Sequence, residues 1–135
     1  MLKLDEPPRI TGSFEDTPVS AAEREHLDYL ERMKSYPDIP GNVIDNAYSA
    51  WNALRREFGS STPIPAASVL EEKMDYYWSR GEHHVNAEII ADEPICWVYV
   101  NSLTKEAWGD EIEADARLTP RLIEAFACRI LGSRE

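Results

Sequence analysis

Apolar positions along this chain change period near its middle. From Ser20 to Phe58 they recur at helical spacing. From about Glu72 to Leu103 they alternate, as on a strand. In the first region Ala22, His26, Tyr29, Leu30 and Met33 share one side of a helix. Ser20-Ala-Ala-Glu23 opens it as a capping box, and Pro37 and Pro40 close it. His26 on that side reads as a partly buried, hydrogen-bonded histidine rather than a ligand. A second stripe, Ile44, Ala47, Tyr48, Trp51, Leu54 and Phe58, follows Gly41-Asn42. It ends at Gly59, a residue suited to the left-handed conformation, with Arg55 and Arg56 near the negative end of the helix dipole. Near the C-terminus, Thr119-Pro120 supplies a cap and a first helical residue. The stripe behind it is Leu122, Ile123, Phe126, Ala127, Ile130 and Leu131, stopped by Gly132.

The alternating region, Met74 to Leu103, is rich in aromatic and β-branched residues and broken at Arg80-Gly81-Glu82 and Ala91-Asp92-Glu93-Pro94. It predicts strands over about Glu72–Ser79, His83–Ala91 and Ile95–Leu103. In the second strand Val85, Ala87 and Ile89 should face helices, and His84, Asn86 and Glu88 should face water or a partner. In the third, Ile95, Trp97, Tyr99 and Leu103 oppose Cys96, Val98 and Val100. Apolar residues on both faces imply either cover on both sides or an exposed apolar interface. Ala66 to Trp78 fits a helix and a strand about equally; the glycine turn that follows favours the strand. Lys105 to Asp115 reads as an acidic connector containing Trp108-Gly109, with room for a short fourth strand around Ile112. The expected fold is therefore α+β: a three-stranded antiparallel meander, with that short fourth strand as an option, packed by about three helices.

Residues 1–18, with Pro7, Pro8 and Pro18, predict an N-terminal arm whose Leu2, Leu4, Ile10 and Phe14 dock on the domain or on a partner chain. Residues 19–135 form one α+β domain. No apolar run approaches the length of a membrane span, and the N-terminus lacks the layout of a secretion signal, so the cytoplasm is the expected compartment. Cys96 and Cys128 are far apart and fit no metal spacing.

Twenty-five acidic against fourteen basic residues leave a net charge of −11. That balance argues against direct binding to nucleic acid or to an anionic membrane. It suits a basic protein partner such as a toxin, a nuclease or a nucleic-acid-binding complex, and it also serves plain solubility. No nucleophile elbow, paired-cysteine motif or phosphate-cradling glycine loop is present, so a non-enzyme without cofactor or metal is expected. The candidate contact residues are Glu106, Trp108, Asp110, Glu111, Glu113 and Asp115 on the connector, with His84 and Glu88 on the strand face. Here carboxylates would meet a basic groove and Trp108 would anchor it. Two other readings stay open. One is an assembly subunit that self-associates, as a homodimer for example. The other is a metal-dependent hydrolase built on His83, His84 and Glu88, with Asp75 as a further ligand.

Pro63-Ile64-Pro65, Tyr77-Trp78-Ser79-Arg80-Gly81, Val85 and Glu88-Ile89 together resemble a pattern in small uncharacterised bacterial α+β proteins. There a helix is followed by a P-x-P loop, a strand ending in Trp, a glycine turn and an acidic-apolar strand. The resemblance spans residues 42–103. It implies a strand for the ambiguous segment and a setting near toxin or mobile-element genes, and it carries over no functional residue. The reading that unites these features is a non-catalytic acidic module of the antitoxin, immunity or inhibitor type.

Overall fold

The structure, a computed structural model, describes residues 20–132. The expected N-terminal arm lies outside them. Two helices come first, α1 (Ala21–Met33) and α2 (Gly41–Phe58). Ser20 caps α1, its hydroxyl accepting the Glu23 N–H at 3.0 Å. The Glu23 carboxylate also pairs with Arg55 of α2 at 3.2 Å, both side chains largely buried, and so ties the two helices together.

The sheet corrects the sequence expectation. It has five strands, not three or four, in the order β1-β2-β3-β4-β5. They are β1 (Ala66–Leu70), β2 (Lys73–Arg80), β3 (His83–Ile90), β4 (Ile95–Asn101) and β5 (Ala107–Ile112), each antiparallel to the next. Helix α3 (Pro120–Glu124), capped by Thr119 with Pro120 in its first turn, widens into a π-helical stretch over Ala125–Ile130. Among the described residues no helix is long and apolar enough to cross a membrane.

Turn chemistry explains the strand boundaries. Arg80 pairs with His83 across Gly81-Glu82, and Gly81 has φ 60°. This is the two-residue hairpin with glycine first that matches the twist of its strands. Leu70 pairs with Lys73 across Glu71-Glu72, and there a glutamate takes the φ of 60°. The loop after β4 is built by Asn101, whose side-chain oxygen accepts the N–H groups of Leu103 and Thr104. Leu103 is thus not the inward strand residue its alternation suggests; it sits on this loop, 74% exposed.

All the described helices pack on one face of the sheet. Met74, Tyr76, Trp78, Val85, Ala87, Ile89, Ile95, Trp97 and Tyr99 face them and are buried. Phe126, from the π-helical stretch, stands edge-on to Trp78 and Trp97, with ring centroids 4.9 and 6.0 Å away. Trp51, His26 and Tyr76 form a second aromatic cluster beneath α1 and α2. The opposite face of the sheet carries no described helix, and its side chains are exposed or half-buried.

Candidate functional site

The open face is read most simply as rows running across the strands, because directly paired residues point to the same side. In one row Asp75 pairs with Glu88, Glu88 with Cys96, and Cys96 with Glu111. Strands about 4.8 Å apart place these carboxylates along a line of about 14 Å. The next row runs Ala66, Tyr77, Asn86, Val98, Gly109, and the one after it Ser79, His84, Val100, Ala107. The face is therefore divided. One side bears acids, and the other bears Tyr77, Val98, Val100 and Ala107, with Tyr77 and Val100 exposed. Gly109 keeps the apolar side flat: a Cβ there would meet the Trp97 carbonyl oxygen at 3.1 Å.

Local bonds fix several of these side chains. Lys73 is ion-paired with Glu88, which raises the pKa of the amine. The Tyr77 hydroxyl lies 2.8 Å from His84 Nδ1, and the two rings stack at 6.0 Å. Burial pushes the Cys96 thiol pKa up, and the charges of Glu111 and Glu88 push it further. Both carboxylates therefore act on one half-buried thiol in the middle of the row.

The structure divides the residues that the sequence singled out. His84, Glu88 and Glu111 lie on the open face. Glu113 and Asp115 are exposed in the turn that leaves β5. Glu106, Trp108 and Asp110 belong elsewhere, because the supposed acidic connector is largely β5. Glu106 pairs with Arg129 at 3.3 Å. Trp108 points to the helix side, stacks on Tyr99 at 5.3 Å and lies under the Arg121 guanidinium at 4.4 Å. Asp110 accepts hydrogen bonds from Arg121 at 2.7 Å and from Thr119 at 2.6 Å. Arg121 first, and Thr119 with it, holds the Asp110 carboxyl below its usual range. These three side chains fasten the C-terminal helix to the sheet.

The histidines separate as neighbours on a strand must. His83 turns to the helix side, its Nδ1 2.8 Å from the Tyr99 hydroxyl, while His84 is on the open face. His83, His84 and Glu88 do not converge. Among the described residues no group of three His, Cys, Asp or Glu side chains is placed to hold a metal ion. Sequence reasoning passed over the row itself and over Asp75 as a contact residue. The missed signal was that β5 continues the two-residue period through its acids.

Compared with known proteins, the chain matches no family, no curated sequence and no solved structure.

Proposed function

We propose that this protein is a non-catalytic binding module, of the antitoxin, immunity or inhibitor type, that docks its open sheet face on a basic protein partner. The observation that carries this reading is the divided face: a line of carboxylates from Asp75 to Glu111 beside a flat apolar strip around Val98. An apolar strip bordered by charge suits a protein interface, and an excess of one sign, here three carboxylates against Lys73, raises the rate of encounter with an opposite-sign partner. With a net charge of −11, the same face would repel a second copy of itself along the carboxylate row.

The test is an affinity capture from the native host with three baits: the unchanged protein, Val98→Glu, and Asp75→Lys with Glu111→Lys. The reading expects the unchanged protein to retain one strongly basic protein and both variants to lose it. Retention by all three baits, or a captured partner that is acidic, counts against it.

A further inference from the structure

Among the described residues the sheet has two unpaired edges, and they are defended differently. On β5, Asp110 and Glu111 supply charge, and Arg121 clasps the strand, bonding the Gly109 carbonyl at 3.0 Å. The other edge, β1, reads Ala-Ala-Ser-Val-Leu and carries no charge or proline. Such an edge is a template for another strand.

Helix α1 leaves that template open. Ala67 and Val69 point to the helix side but stay half-buried, whereas Tyr76 and Met74, their partners on β2, are fully buried. Between α1 and β1 runs a groove with two hollows. One, of about 310 Å³, lies beside Ala67 and is walled by Ala22, His26, Tyr29 and Pro65. The other, of about 950 Å³, lies beside Val69 and is walled by Met33, Tyr36 and Ile39.

Backbone polarity coincides with the hollows. Leu70 and Lys73 close a two-residue turn and so form a hydrogen-bonded pair. Alternation then makes Val69 and Ala67 the positions whose N–H and C=O groups point away from β2, toward the free edge. An added strand would bond to the backbone of these two residues. Its own side chains, about 7 Å apart at alternate positions, would enter the two hollows. The rim is acidic, with Glu25, Asp38, Glu71 and Glu72 against Arg32.

We propose that the β1 edge is a second docking site, which takes an extended segment of a basic protein, apolar at alternate positions and flanked by Lys or Arg. Charge complementarity selects this occupant over a second copy of the chain, which would set the same acids against themselves. The site does not depend on the open-face reading.

The probe is a fluorescent peptide, Lys-Arg-Val-Thr-Val-Ser-Leu-Arg-Lys, titrated with the full chain and followed by anisotropy. Saturable binding that weakens with added salt is expected. Ala67→Pro removes an outward N–H while sparing the ladder to β2, and should weaken binding by about tenfold or more. Ser68→Thr, whose N–H faces β2, should bind as the parent does, and so should Val98→Glu on the open face. Glu25→Lys with Glu72→Lys leaves the edge backbone intact and should also weaken binding, which covers the case in which Ala67→Pro fails to fold. Absence of saturable binding overturns the proposal, as does equal binding by Ala67→Pro in a folded state. So does a homodimer in light scattering that Ala67→Pro dissociates, because the edge would then belong to a second copy.

Discussion

His26 is the residue at which burial most clearly decides chemistry. Its Nε2 lies 3.1 Å from the Tyr76 hydroxyl, which also lies 3.2 Å from the Ala47 carbonyl oxygen. The one phenolic hydrogen goes to the carbonyl, so both bonds are satisfied only if Nε2 carries its own hydrogen and donates it. The neutral ring fits, and burial lowers its pKa from 6.5 to about 4. Through that window the unfolded chain takes up a proton that the folded chain refuses. Stability is thus full above pH 6.5 and falls as pH drops toward 4, by about 3 kcal/mol at most. Urea unfolding at the two ends of the window should show this loss in the parent protein and much less of it in His26→Gln. Its place on the apolar stripe of α1 made His26 readable as a buried residue. Tyr76, its partner fifty positions on, was not readable, because nothing local in sequence joins them. Glu71 and Gly81 both have φ 60°, a region that costs a residue with a Cβ about 1 kcal/mol. Glu71→Gly should raise the melting temperature, and Gly81→Ala should lower it. No atom would lie within 4 Å of a Cβ added at Gly81, so strain alone sets its loss.

At the scale of elements, the helices, β3 and β4 were legible from a clean period with a recognisable start or stop, whereas β2 fitted either period and was legible only from the glycine turn that ends it. Strands β1 and β5 were not. The first is short, built of small residues, and turns on Glu71-Glu72, a pair with no turn signature. The second places Asp110 at an inward position, where alternation calls for an apolar residue. Only Arg121 and Thr119, from beyond the strand, make that carboxylate acceptable. The three-stranded expectation therefore failed where tertiary partners override local pattern. Asp110 joins β5 to the start of α3 through Thr119 and Arg121. Asp110→Ala should destabilise the protein by about 1–2 kcal/mol by releasing the start of α3. It should leave any partner's association rate unchanged if the fold is kept. Thermal unfolding and binding kinetics on the same variant separate the two effects.

At the scale of the whole molecule, the described helices and their aromatic cluster cover one surface of the sheet, and among the described residues no element covers the other. The chain places acids on it in register. The charge excess was legible from composition. Its arrangement was not, because a row across a sheet is made of residues distant in sequence: Asp75, Glu88 and Glu111 lie on three different strands. Cys96 sits in that row, half-buried, and offers a built-in reporter once Cys128, the exposed cysteine, is replaced by Ser. The most direct measurement is the rate of Cys96 alkylation in the Cys128→Ser protein, with and without the captured basic partner and at low and raised salt. Docking on the open face predicts strong protection that fades as salt rises and is absent when Asp75 and Glu111 are both changed to Lys. An alkylation rate indifferent to bound partner would place the contact elsewhere and contradict the claim.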